Sequence, residues 1–143
     1  MKLRELHLKG FKSVDADAGQ RIPFGDVTVL LGANGSGKSN VVSFFKMLNF
    51  MTSGSLNRYV AKYGVSRLLF YGTKATKSVF FELKFEDSDG IDTYSSEFFY
   101  GLPDKLLVSG ERIAFHGKGG EEPQEYVLES AGTESALGAD SRD

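Results

Sequence analysis

Apolar positions along this 143-residue chain switch from a spacing of two to a helical spacing and back again, and the switches mark its elements. Leu3, Leu6 and Leu8 stand among Arg4, Glu5, His7 and Lys9 and predict a first strand that ends at Gly10-Phe11. Lys12 to Gln20 is polar and turn-rich, and Ile22-Pro23-Phe24 predicts a short strand whose proline belongs on a sheet edge. Gly25-Asp26 then turns the chain into Val27-Thr28-Val29-Leu30-Leu31. That run is apolar on both parities, which predicts a strand buried on both faces, in the manner of central strands in α/β sheets.

From Lys38 to about Met51 the period is helical. Val41, Val42, Phe44, Phe45, Met47, Leu48, Phe50 and Met51 leave only Ser43, Lys46 and Asn49 as a polar stripe, so this helix needs cover on most sides. Leu56 to Tyr63, a weaker helical pattern ending at Gly64, and Leu68-Leu69-Phe70-Tyr71 are the candidates for that cover. The phenylalanines read as core in preference to a base-stacking platform. From Lys77 the period returns to two: Val79, Phe81, Leu83 and Phe85 alternate with Ser78, Glu82 and Lys84, and Asp87-Ser88-Asp89-Gly90 predicts a hairpin into Ile91 to Tyr100. Further strands are expected at Lys105 to Val108, Ile113 to Phe115 and Tyr126 to Leu128, with Gly117 to Gly120 as a loop. The fold class is therefore α/β: a strand, loop and helix unit over residues 1–76 and an antiparallel β subdomain over 77–129. Residues 130–143 have no aromatic and little apolar content, and alone should lack order.

The chemistry lies between the both-parity strand and the long helix, where Gly32-Ala33-Asn34-Gly35-Ser36-Gly37-Lys38-Ser39 completes the phosphate-loop pattern G-x-x-x-x-G-K-[ST]. Glycines at Gly32, Gly35 and Gly37 allow backbone N–H groups to turn inward around phosphate oxygens, where a Cβ would obstruct both the dihedrals and the approach. The helix N-terminus adds unpaired N–H groups and partial positive charge. In this arrangement Lys38 bridges the β- and γ-phosphates, the candidate catalytic contact, and the Ser39 hydroxyl is a ligand of Mg²⁺. The cofactors expected are ATP and magnesium.

Bulk properties narrow the setting. The chain has one domain's length and, at 41 % apolar, enough material for one core. With no cysteine and only His7 and His116, thiol chemistry and zinc sites of the thiolate or multi-histidine kind are excluded. Neither a signal peptide nor a membrane-spanning run is present, and a cytoplasmic protein without a membrane partner is expected. The net charge of −2 hides an asymmetry. Residues 1–84 hold 13 Lys/Arg against 5 Asp/Glu, and residues 85–143 hold 4 against 14. A basic front half suits nucleotide phosphates or nucleic acid, and equally a mixed surface whose halves neutralise each other.

Hydrolysis would also need a strand ending in hydrophobic-Asp-Glu. Glu86-Asp87 follows an alternating strand into a hairpin and reads as a solvated turn. Ser109-Gly110-Glu111 matches part of a Leu-Ser-Gly-Gly-Glu signature, but lacks one glycine and precedes strand-like Ile113-Ala114-Phe115, so it too reads as a turn.

Leu6-His7-Leu8-Lys9-Gly10-Phe11-Lys12-Ser13, Phe24, Val27 to Leu31 and the loop through Asn40 together resemble the amino-terminal lobe of RecF/SMC-like ABC-type ATPases. The Phe-Lys-Ser after the first strand and Asn40 after the loop are the more discriminating pieces; Ala33 stands where the family usually has proline. The later β region is similar to the antiparallel subdomain of such ATPases. The resemblance implies ATP binding in this lobe through the Walker A loop, with Lys12 and Ser13 near the nucleotide. It implies hydrolysis only when two nucleotide domains close on each other, in DNA repair, chromosome maintenance or phage defence. A magnesium-sensing glutamine would be expected, but Gln20 and Gln124 do not sit convincingly. Walker B, signature helix and switch histidine have no counterpart before Asp143. The expectation is thus an amino-terminal portion, truncated or half of a split ATPase, that binds Mg-ATP and hydrolyses little alone. Its partners would be the missing C-terminal lobe or a second ATPase subunit, joined as a dimer on ATP binding, with DNA a further candidate. Two alternatives stand: a non-catalytic interaction module that retains the loop, and a small P-loop kinase, which lacks the arginine-rich lid because the second half holds only Arg112 and Arg142.

Overall fold

The computed structural model describes residues 1–33, 37–128 and 132–139. Asn34, Gly35 and Ser36 of the loop lie outside the described residues. Six strands form one antiparallel sheet in the order β2-β1-β3-β4-β5-β6: β1 (Lys2–Lys9), β2 (Gln20–Pro23), β3 (Ser78–Glu86), β4 (Gly90–Gly101), β5 (Lys105–Gly117) and β6 (Gln124–Val127). The helices are α1 (Lys38–Thr52), α2 (Leu56–Tyr63) and the single turns α3 (Val65–Leu68), α4 (Gly72–Ala75) and α5 (Ala136–Ala139). The boundary expected near residue 76 falls between α4 and β3, while β1 pairs directly with β3, so the sheet runs unbroken across it.

Alternation in β3 puts Val79, Phe81 and Leu83 on the buried face with Leu6 and Leu8 of β1 and Phe98 of β4. Helix α1 lies on this face through Val41, Phe44, Met47 and Met51. Phe44 is fully buried, with edge-on contacts to Phe81 at 5.2 Å and to Phe11 at 5.8 Å between ring centroids. The aromatics of the long helix are therefore core, as their spacing implied. Phe45, Leu48 and Phe50 are half-covered, and Val42 is 52 % exposed.

Three expectations are corrected. Val27 to Leu31 is not a buried strand: it forms no ladder, and Val27, Val29 and Leu31 are 85 %, 71 % and 88 % exposed. A both-parity strand is stable only between two neighbours, and every strand among the described residues already belongs to the antiparallel sheet, whose edges are β2 and β6. Ser109-Gly110-Glu111 is not a turn but a bulge inside the single strand β5, with the register shifting opposite Ser95 and Glu97 and Gly110 at φ +64°. That bulge turns Glu111 into the core, fully buried.

The third correction is the tail. Residues 132–139 are seated on the sheet because buried acceptors hold them: the Glu111 carboxylate accepts from the Tyr94 hydroxyl at 2.5 Å, the Ala136 N–H at 2.8 Å and the Ser135 hydroxyl. Burial, then the Glu111 hydrogen bond, pushes the Tyr94 phenol far above its ordinary range. Glu134 in turn accepts from the Leu56 and Asn57 N–H groups at 2.9 and 3.0 Å, capping α2.

Two measurements test this packing. Phe44→Leu is expected to cost about 1 kcal/mol and Phe44→Ala about 3–5 kcal/mol in urea unfolding. The Asp87 carboxylate accepts from the Asp89 and Gly90 N–H groups in the β3–β4 turn, which holds it below the usual carboxylate value. Its contribution is present above the unfolded-state pKa of about 3.9 and fades as pH falls through the lower folded value. Asp87→Asn should accordingly flatten the fall in stability below about pH 4, read from urea midpoints across the acid range.

Candidate functional site

Two turns and one helix end make the site. Gly10, at φ +74°, is the first pivot: a Cβ there would sit 2.4 Å from the Ser78 carbonyl oxygen, so β1 can leave the sheet at this point only through glycine. The turn that follows places Lys12 at φ +51° and is tied to the segment after α3 by hydrogen bonds from Lys12 N–H to Leu68 O at 2.8 Å and from Phe70 N–H to Gly10 O at 2.9 Å. Ser13 reaches the start of α1, where the Asn40 side-chain amide donates to its hydroxyl.

Gly37 is the second pivot. It is the N-cap of α1 at φ +98°, a left-handed conformation that places Lys38 as the first helical residue. Gly37 has no side chain to cap this end, and among the described residues no acidic residue lies in its first turn. At α2 the first amides are taken by the Glu134 carboxylate, whereas at α1 the Asn40 N–H donates to the Gly37 carbonyl at 3.1 Å. Lys38 turns its ammonium back onto the Gly32 carbonyl of its own loop, and Ser39 is exposed. A cation with an exposed hydroxyl beside it at a helix start is a donor set that fits a magnesium-bound polyphosphate.

A cavity of about 650 Å³ opens beside this helix end. Lys12, Ser13 and Asn40 line one part of it, and Arg67, Phe70 and Tyr71 another. Burial and then the neighbouring Lys46 charge lower the pKa of Lys12. Among the described residues no carboxylate pairs with Lys12, Lys46 or Arg67, although most other ionic contacts of the sheet are matched, such as Arg4 with Glu86 at 2.8 Å.

The structure thus brings Lys12, Ser13, Lys38, Ser39 and Asn40 to one end of α1, with Gly32 and Ala33 exposed alongside. Glu86-Asp87 is elsewhere and structurally engaged, in the Arg4 ion pair and the hairpin turn. Gln20 and Gln124 begin the two edge strands. His7 is buried, with its Nε2 3.1 Å from the Ala18 carbonyl oxygen. Among the described residues no cluster of three His, Cys, Asp or Glu could hold a metal by itself, and no helix is long and apolar enough to cross a membrane. The cavity lining also includes Arg67, which the sequence does not single out, and Tyr71, which reads as the end of the covering segment Leu68-Leu69-Phe70-Tyr71.

A family model described as AAA domain matches residues 5–127. The chain belongs to the AAA domain family. No curated protein matches it, but 17 solved chains do. One comes from a study described as "Structural biochemistry of ATP-driven dimerization and DNA stimulated activation of SMC ATPases", with 26 % identity, a TM-score of 0.51 and coverage of 76 % of this chain and 69 % of that one. The fold of this AAA domain is that of the amino-terminal P-loop lobe of SMC/RecF-like ABC-type ATPases.

Gly37→Ala tests the second pivot. Among the described residues a Cβ there meets nothing nearer than the Ser13 hydroxyl oxygen at 3.8 Å, so dihedral strain is the cost expected. Urea unfolding should show a loss of about 1–2 kcal/mol.

Proposed function

We propose that this AAA domain binds Mg-ATP through Gly32 to Ser39 and is the amino-terminal part of an SMC/RecF-like ATPase. The observation that carries the reading is the glycine-started N-terminus of α1 inside a complete phosphate-loop sequence. The phosphate-loop sequence Gly32 to Ser39 would hold the phosphates, with Lys38 reaching the β- and γ-phosphate oxygens and Ser39 serving as a magnesium ligand. Asn40 and Ser13 brace the start of the helix, and Lys12 adds positive charge near the phosphates. Bound magnesium supplies charge neutralisation on the phosphate oxygens.

Hydrolysis by this reading waits on a C-terminal lobe that brings the Walker B strand and signature helix, or on a second ATPase subunit that closes on the first when ATP binds. The exposed run Val27 to Leu31 supports such a partner: it is a strand sequence without a strand beside it, and Val42 on α1 is exposed as well. A cytoplasmic setting, DNA as a further ligand and a role in DNA repair or chromosome maintenance follow from the same reading. The basic first 84 residues are compatible with DNA phosphates.

The exposed apolar run also favours a second reading, a non-catalytic interaction module that keeps the loop but works through its surfaces. Thermal unfolding separates the two. Mg-ATP at a hundredfold excess over Kd should stabilise the parent by about 2.7 kcal/mol and Lys38→Ala by nearly nothing. Equal stabilisation of both overturns the nucleotide reading, and partner binding indifferent to ATP and to Lys38→Ala would establish the second. For the strand itself, Val29→Asp should abolish stimulation of ATP turnover by an added C-terminal lobe while leaving ATP binding intact, as followed by phosphate release and calorimetry. Stimulation equal to the parent's would remove Val27 to Leu31 from the interface.

A further inference from the structure

Residues 132–139 grip the turn between α1 and α2 at three points. The Glu134 carboxylate takes the Leu56 and Asn57 N–H groups at 2.9 and 3.0 Å, a cap that Ser55, the N-cap residue of α2, does not make with its own side chain. Gly138 lies against the backbone of the turn: a Cβ there would stand 2.7 Å from Gly54 N and Cα and 2.8 Å from Met51 O, so a side chain would push the segment away. Leu137 lines an apolar cavity of about 450 Å³ together with Leu48, Met51 and Thr52 of α1. The segment is itself fastened to β5, by Ser135 and Ala136 on the buried Glu111 carboxylate and by the Val108 N–H bond to Gly132 O at 2.9 Å. It is a strap that ties the closed end of the α1–α2 hairpin to the sheet.

The open end of the same hairpin is the phosphate site. Helix α1 runs from Lys38 to the turn and α2 runs back, with the Tyr59 hydroxyl donating to Ser43 O at 3.2 Å between them. Tyr63, the last residue of α2, and Asn40, in the first turn of α1, line one cavity with Lys12 and Ser13. The Lys12 turn is held in its place by the chain that leaves α2, through the Lys12 N–H bond to Leu68 O at 2.8 Å. Close-packed helices move as stiff bodies and transmit strain along their length. A clamp on the closed end therefore sets how the start of α1 stands relative to the Lys12 turn.

We infer that Glu134 is a positioning residue for nucleotide binding: by docking the strap it fixes the geometry of the phosphate site, so that the docked strap and bound Mg-ATP strengthen each other. The inference rests on the phosphate-loop reading and adds to it a control point at the opposite end of α1. A carboxylate on two successive amides of a helix start is favoured by both the hydrogen bonds and the partial positive charge there. An eight-residue helix such as α2 is marginal by itself, so loss of this cap frays its first turn and loosens the hairpin. Linkage makes the effect reciprocal: whatever factor the strap adds to nucleotide affinity, nucleotide adds to strap docking.

Hydrogen exchange on the 143-residue parent reads this coupling without any substitution. Saturating Mg-ATP should slow exchange of the Leu56, Asn57 and Ala136 N–H groups about fivefold or more and leave the Gly90 N–H of the β3–β4 turn unchanged. In Lys38→Ala the same addition should slow none of them. Calorimetric titration with Mg-ATP supplies the reverse direction. Glu134→Ala and Gly138→Ala should each weaken binding about fivefold or more, and Glu134→Gln, which keeps one acceptor oxygen, should fall between Glu134→Ala and the parent. If Mg-ATP slows the strap amides no more than Gly90, or if both alanine variants, folded by circular dichroism, bind Mg-ATP as the parent does, Glu134 has no part in the site and the phosphate loop stands. If the parent binds no Mg-ATP, the phosphate-loop reading fails and the coupling falls with it.

Discussion

Everything at the site depends on how α1 is pressed against the sheet. Phe44, fully buried among Phe11, Phe45 and Phe81, fixes the helix over β1 and β3, and Phe11 belongs to the same turn that carries Lys12 and Ser13. One aromatic cluster therefore sets both the helix that begins at the phosphate-loop sequence and the turn that flanks it. Burial of a side chain this size is worth about 2–3 kcal/mol by area, enough to hold an exposed helix start whose own amides gain nothing from a cap. The free energy left out of the cap remains available to a ligand.

The treatment of the two helix ends shows where the fold reserves that capacity. At α2 a glutamate from the far end of the chain, Glu134, supplies both acceptors, and Glu111 fastens the segment that carries it. Among the described residues the first turn of α1 has no acid, it begins with the cation Lys38, and Lys12 lines the cavity beside it. Burial, and then the Lys46 charge, lower the pKa of Lys12. The match to the AAA domain family over residues 5–127 and the likeness to an SMC ATPase give the family and the fold in which this helix end lies.

Much of the architecture was legible in the residues because its signals are local. Alternation from Val79 to Phe85, the Asp87 to Gly90 turn, the helical run from Lys38 and the glycine spacing of the loop each depend on a few neighbours in sequence. What was not legible depends on distant partners. Val27 to Leu31 reads as a central strand, yet centrality requires two flanking strands, which the described residues do not provide. The tail reads as unstructured because its anchors, Glu111 and the amides of Leu56 and Asn57, are far away in sequence, and a buried glutamate within a β bulge has no pattern of its own. Tyr71 escaped notice because apolar spacing cannot tell a core aromatic from one turned outward by a positive φ.

The central claim is that the first turn of α1 is an anion seat for a magnesium-bound triphosphate. A crystal structure grown with magnesium and a non-hydrolysable ATP analogue measures this directly. The account predicts phosphate oxygens on the main-chain N–H groups of Lys38 and Ser39, with Lys38 released from the Gly32 carbonyl and the magnesium on the Ser39 hydroxyl. Nucleotide bound elsewhere on the chain, with Lys38 still on that carbonyl, would contradict it.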